Sequence, residues 1–191
     1  MPQFRALRPT DAEAFVKYLE ALDYQHAPQW SGCFCRFYHT NCSMDAWIAR
    51  DRNDNRQETL QAIREGLMHG YLAFENDQLI GWLNANAVSA YPRLANFVKP
   101  YVQTQHPAAM VCFVIHPEYR GQGVASGLLR FAINDLMNQR MTEILGFPFE
   151  DPEHPQRAYH GSLSMYLKAG FTLVESRKNQ HIVRYLSSLP Q

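Results

Sequence analysis

Neither sign of charge prevails in this chain. Across 191 residues, 18 lysines and arginines offset 18 aspartates and glutamates, for a formal net charge of zero. A nucleic-acid or anionic-membrane partner would call for a basic excess, so neither is expected. Long apolar runs are also missing. No stretch approaches the roughly 20 residues that span a bilayer, and the start, MPQFRALRPTDAEAF, lacks the apolar core of a secretory signal. A cytoplasmic location is the expectation. Cysteine is scarce: Cys33, Cys35, Cys42 and Cys112 do not make a disulfide scaffold in a chain of this size, and a cytosolic setting keeps them reduced. Two phosphate signatures are absent as well. There is no GxxxxGK[ST] and no GxGxxG, which excludes the P-loop and the dinucleotide fingerprint.

What is present suffices for a full core. Hydrophobic residues make up 46% of the chain and aromatics 13%, and the length suits one domain over 1–191. FRALRPTDAEAFVKYLEAL predicts a strand and then a helix capped near Thr10 or Asp11, with Thr10 and Glu13 at capping-box spacing. SMDAWIARDRNDNRQETLQAIREGLMHG predicts a helix interrupted near Asn53 and stopped at Gly70. YLAFEND and QLIGWLNANAV predict two strands turned at Asn76-Asp77. Residues 89–108, with Pro92, Pro100 and Pro107, read as a long loop with room for a helical turn. AAMVCFVI reads as a strand buried on both faces, and Ala125, Leu128, Leu129, Ala132, Ile133, Leu136 and Met137 form one helical stripe after it. A strand at TEILGFPF, a helix at SLSMYLKA ended by Gly170, and strands at FTLVESR and QHIVRYLS complete the order. The fold class is α/β (α+β) with a mixed sheet.

HPEYRGQGVASGLL joins that buried strand to that helix. The first turn of a helix carries unpaired N–H groups and positive potential. Gly121 and Gly123 leave room for an anion to reach them, Arg120 can add charge, and Ser126 a hydroxyl.

Read whole, VCFVIHPEYRGQGVASGLLRFAI resembles the central motif of the GNAT N-acetyltransferase superfamily, here with Arg120, Gly121, Gln122, Gly123, Val124 and Ala125. SLSMYLKAGF resembles its Tyr-x-x-x-Gly-Phe ending, with Tyr166, Gly170 and Phe171. GWLNAN, EILGFPFEDP and the CFC element resemble a bacterial subgroup of that superfamily. The resemblance covers nearly the whole chain. It implies the GNAT fold, a mostly antiparallel central sheet flanked by helices, and acetyl-CoA as co-substrate with no metal. The pyrophosphate of coenzyme A would rest on residues 121–126. The pantetheine arm would run beside Phe113, Val114 and Ile115, where a strand N–H would polarise the thioester carbonyl. Tyr166 matches the position of a tyrosine that protonates the leaving thiolate. The implied acceptor is a primary amine, most simply of a small molecule, attacking directly in a ternary complex. A protein or peptide N-terminus or lysine is the alternative acceptor, and a non-catalytic acyl-CoA sensor the alternative function. Homodimers are common in the superfamily and are a further option here.

One departure concerns the base. Many relatives place a carboxylate early in the motif strand, and AAMVCFVI has none. Glu75 and Glu143 are weak candidates that also fit solvated surface charges, His116 adjoins the phosphate loop rather than the thioester, and loss of the amine proton to water is a further option. QWSGCFCRFYHTNC is the other unusual stretch. Cys33, Cys35, His39 and Cys42 do not match a common zinc spacing. Two readings of the segment stay open: a core patch covering the sheet, with Cys33 and Cys35 as small packers, or an aromatic wall of the acceptor pocket, with Phe34 and Tyr38 against the acceptor. Arg93 would select an acceptor carboxylate from the opposite side, or is an ordinary surface arginine.

Overall fold

The computed structural model of the chain describes residues 1–25, 27–153 and 155–187, with the backbone alone at 155–157. Seven strands form one sheet: β1 (Gln3–Ala6), β2 (Gly70–Glu75), β3 (Gln78–Ala87), β4 (Pro107–Ile115), β5 (Glu143–Gly146), β6 (Thr172–Arg177) and β7 (Gln180–Leu186). Their spatial order is β1-β2-β3-β4-β5-β7-β6. Every neighbouring pair is antiparallel except β4 and β5. A parallel pair needs a long crossover, which α5 (Val124–Asn138) supplies. The β2–β3 turn is the two residues Asn76 and Asp77, both with positive φ (48° and 63°). That left-handed pair matches the twist of the flanking strands.

The two sheet faces bury different sets of side chains. On one, the α5 stripe of Val124, Leu128, Leu129, Ala132, Ile133 and Leu136 packs with α6 (Leu163–Lys168) over Leu83, Met110 and Phe113. On the other, α1 (Ala12–Ala21) and α3 (Arg52–Arg64) cover Leu72 and Trp82. Phe15 of α1 meets the Trp82 ring edge-on, with centroids 4.8 Å apart. Each such buried ring contributes roughly 1.5–3 kcal/mol over leaving it in water. A third cluster lies beside the second, where Tyr91, Leu94 and Val98 pack on Ala109, Val111, Leu145 and Ile182. Covered on both faces, β4 can be apolar at nearly every position.

Three expectations about the helices need correction. The Thr10–Glu13 capping box does not form: Asp11 instead accepts from the Arg8 N–H at 2.8 Å and from both Arg5 terminal nitrogens. The helical stretch after residue 43 divides at Ala49–Asp51 into α2 (Met44–Ile48) and α3, with the Asp51 carboxylate accepting from the Asn53 N–H. Helix α3 ends at Arg64, short of Gly70. The long loop at 89–108 contains a helix, α4 (Pro92–Val98). Pro92 sits in its first turn, where a missing N–H costs nothing. No helix among the described residues is long and apolar enough to cross a membrane.

Candidate active site

The parallel pairing of β4 with β5 runs only from Pro107↔Glu143 to Met110↔Gly146. Beyond it β4 continues for five residues without β5. On its other side β4 stays paired with β3, but the register shifts: Ala85 faces Met110 while Asn84 faces Cys112. Val111 is therefore the extra residue of a β-bulge, and such a residue is left out of the ladder. The bulge also places Val111 and Cys112 on the same sheet face, in the α4 cluster, while Met110 and Phe113 face α5. A gap in the sheet and a backbone unit freed from its ladder thus coincide.

Tyr166 of α6 lies at this gap, on the α5 side. Its ring stands edge-on to Phe113 (centroids 6.3 Å) and to Phe171 (5.0 Å). Gly146 permits the approach, because a Cβ there would fall 2.5 Å from the Tyr166 ring. The residue is fully buried, and among the described residues its hydroxyl has no hydrogen-bond partner. Buried hydroxyls are normally satisfied, so this one points to a missing partner. Burial pushes its pKa far above the usual phenol value, followed by the charge of Cys112. Tyr166 therefore carries its proton throughout the neutral range.

The glycine loop follows at the far end of β4. Gly121 (φ 73°) and Gly123 (φ 81°) both adopt the left-handed conformation that glycine favours. A Cβ built at either would meet nothing within 4 Å, so the space above them is open. The first helical bond of α5 runs from the Gly127 N–H to the Gly123 carbonyl. The N–H groups of Val124, Ala125 and Ser126 thus lie outside the ladder of that helix. Arg120 Nε donates to the Ile115 carbonyl at 3.1 Å, which ties the loop to the end of β4. Gln122 turns its amide to the Glu118 carbonyl. The Val114 carbonyl accepts from the Tyr18 hydroxyl at 3.0 Å.

On the opposite face, segment 31–42 is held by side chains from its surroundings. Phe34 and Cys35 both have positive φ. Their carbonyls accept from Thr59 Oγ1 (2.9 Å) and Asn84 Nδ2 (3.4 Å). Asn84 Oδ1 accepts from the Tyr91 hydroxyl at 2.7 Å, and Asn84 Nδ2 lies 3.4 Å from His39 Nε2. Burial, and secondarily Arg36, lowers the His39 pKa to about 4. Tyr38 projects toward the gap: its ring meets Tyr91 and His160, and its hydroxyl lies 3.5 Å from His160 Nε2. Trp30 meets Tyr159 edge-on at 4.8 Å, which joins this segment to the loop after β5.

Not every expected residue lies at the gap. Tyr166, Phe113 and Tyr38 converge there, and residues 120–126 lie at the end of β4. Phe34 does not line a pocket. It is 2% exposed in the α1–α3 core, because its left-handed backbone turns the ring inward, under the Arg52 guanidinium. Arg93 is not turned to an acceptor. Its guanidinium donates to the carbonyls of Phe37 and Cys42, both at 2.9 Å, and stacks 4.4 Å over Phe37. Glu143 is neither a surface charge nor placed to act as a base. It is fully buried at the start of β5, accepts from the N–H groups of Gln103 and Thr104, and lies 2.9 Å from Arg184 Nε. Glu75 ends β2 beside the N-terminal amine. His116 donates its N–H to Ile80 and packs on Tyr119. Among the described residues, no three His, Cys, Asp or Glu converge as a metal site. Sequence reasoning missed His160 and the Val111 bulge. The one signal for His160 was its place next to Gly161, just ahead of the Tyr166 helix.

A family model described as the acetyltransferase (GNAT) family matches residues 24–171. No curated relative matches the sequence significantly. Solved structures share the fold at low identity. The PaiA N-acetyltransferase of Thermoplasma acidophilum, in complex with coenzyme A, is 15% identical with a TM-score of 0.54, over 98% of this chain and 99% of that one. The ribosomal-protein-S5-alanine acetyltransferase of Vibrio fischeri is 12% identical, TM-score 0.55, over 98% and 93%. A mosquito arylalkylamine N-acetyltransferase-like protein is 12% identical, TM-score 0.60, over 98% and 100%. Identities this low carry the fold alone.

Proposed function

Because the chain belongs to the acetyltransferase (GNAT) family, and so is an acyltransferase, we propose that it moves an acetyl group from acetyl-CoA to the primary amine of a small molecule, residues 1–191 acting as one unit. The observation that carries this reading is the coincidence at one gap of three features. These are the end of β4–β5 pairing, the Val111 bulge and the partnerless Tyr166 hydroxyl. A thioester supplies the activated acyl group, and the residues present suit it. The first-turn N–H groups of α5, with Arg120, would hold a pyrophosphate. The unladdered edge of β4 at 111–115 would pair with the amides of a pantetheine arm. A backbone N–H at the bulge would receive the charge that develops on the carbonyl oxygen. Tyr166 would give its proton to the departing sulfur.

The acceptor enters from the face that carries Tyr38. That face is closed over by the contacts Trp30–Tyr159 and Tyr38–His160. A closed aromatic side suits a small molecule better than an extended peptide. The test is a pair of measurements on the full chain. At about 100 times Kd, acetyl-CoA should add about 2.7 kcal/mol, raising Tm by roughly 5–10 °C. Thiol release in the presence of amines should then exceed that in their absence. No shift at millimolar acetyl-CoA would refute the reading, and a shift without any thiol release would favour an acyl-CoA sensor.

A further inference from the structure

The loop from β5 to α6 returns to the gap at His160. This ring tilts on Tyr159 (centroids 4.1 Å), meets the edge of Tyr38, and lies beside the backbone of Val111. Its Nε2 is 3.5 Å from the Tyr38 hydroxyl, while its Nδ1 is buried with no hydrogen-bond partner. The next residue faces the other way: a Cβ on Gly161 would fall 3.3 Å from the Tyr166 ring and 3.4 Å from Phe113. Residues 160 and 161 therefore bridge the gap at the bulge, between the two faces.

Among the described residues no carboxylate acts on His160. Burial lowers its pKa to about 4, and the backbone of Val111 works weakly against that. The facing groups are the Tyr38 hydroxyl, the Tyr159 ring and Val111, with the Cys112 thiol and the Arg93 guanidinium acting on Tyr38. The ring is thus neutral at working pH, with a lone pair free to take a proton. Once protonated, its two N–H groups have the Tyr38 oxygen and the Val111 backbone as neighbours. His39 is the natural comparison. It too is neutral, with Asn84 on one side and the Ala90 backbone on the other, whereas among the described residues the His160 Nδ1 is buried without a hydrogen-bond partner.

We propose that His160 is the general base of this enzyme, receiving the proton that the acceptor nitrogen loses as it attacks, with Tyr38 orienting the imidazole. The inference rests on the acyl-transfer reading above. The nitrogen–carbon bond forms and the carbon–sulfur bond breaks. One proton passes from nitrogen to His160, and one from Tyr166 to the thiolate. The imidazolium then loses its proton to solvent, and the Tyr166 phenolate regains one, which restores both groups.

Hydroxylamine is the probe, being small enough for any acceptor pocket and uncharged at neutral pH. The product hydroxamate and the free thiol are measured for the full chain, for His160→Gln and for Tyr38→Phe, from pH 5 to 9. His160→Gln should lower kcat by about 100- to 10,000-fold across this whole pH range, because a base lowered to about 4 is already deprotonated at pH 5, and should leave acetyl-CoA affinity within about twofold. Tyr38→Phe should cost less, and added imidazole should partly restore His160→Ala. A kcat for His160→Gln within about threefold of the wild type would overturn the base while leaving acyl transfer standing. So would equal losses in kcat and in acetyl-CoA affinity. A wild type that binds acetyl-CoA but makes no hydroxamate and releases no thiol would overturn the acyl-transfer reading, and the base with it.

Discussion

Replacing Tyr166 with phenylalanine should make the empty protein more stable and the enzyme much slower. The hydroxyl is fully buried and has no partner. Leaving a buried hydroxyl unpaired costs roughly 1–3 kcal/mol by mutational measures. Phenylalanine keeps the ring contacts with Phe113 and Phe171 and the close approach over Gly146. It removes only the unsatisfied group, so the expected gain is about 1–2 kcal/mol. For a chain of this length that corresponds to a Tm higher by roughly 2–8 °C. Loss of a proton donor to sulfur should meanwhile lower kcat by about 100- to 10,000-fold. Because the phenol stays protonated far above neutral pH, the fold loss should be constant between pH 6 and 9. Thermal melts without ligand, together with thiol-release kinetics, measure both effects on one preparation. A lower Tm with kcat within about threefold of the wild type would refute the reasoning, because the hydroxyl would then be structural and not a donor.

Glu143→Gln should separate stability from chemistry in the opposite sense. Breaking a buried pair costs about 3–5 kcal/mol, so Tm should fall by roughly 10 °C while kcat of the folded enzyme holds; a lost kcat at unchanged Tm would instead make Glu143 the base. The two buried histidines should make stability fall on acidification. His39 and His160 both titrate near 4 when folded and near 6.5 when unfolded. The unfolded chain binds protons first, so their contribution is complete above about pH 6.5 and is lost as pH falls toward 4. The slope is about 1 kcal/mol per pH unit for each histidine. Urea midpoints at pH 7 and 4.5 measure it, and a double variant, His39→Asn with His160→Gln, should flatten the dependence. An equal slope in that variant would assign the acid sensitivity elsewhere.

The parts of this chain that could be read from its sequence are those where one physical rule dominates. The β4 strand is apolar throughout because both its faces are covered. The entry to α5 needs glycine because two residues take left-handed backbone. Those signals are local, and the order of elements follows from them. Of α4 only a helical turn was legible, because a proline inside a helix and one in its first turn look alike in sequence. Phe34 looked like a pocket residue because aromatic density does not show direction. Its positive φ, which sends the ring into the core, is rare for phenylalanine. The bulge at Val111 has no sequence mark at all. It arises from how β4 registers against β3, a long-range property.

The gap would let the proposed acid and base work without meeting. Tyr166 packs with the α5 cluster on one face, and Tyr38 with His160 belong to the other. Direct acyl transfer needs a proton to leave nitrogen and a proton to reach sulfur, and a single group serving both would have to move between them. A continuous sheet would seal the two faces from each other. Here β5 stops pairing at Gly146, and the bulge frees β4 one residue further on. A thioester lying in that gap would present its carbonyl to the sheet edge, its sulfur to Tyr166 and its open face to His160. On the proposed reading, chemistry on this chain depends on two backbone irregularities, and residues 160–161 link the two faces at the point where both occur.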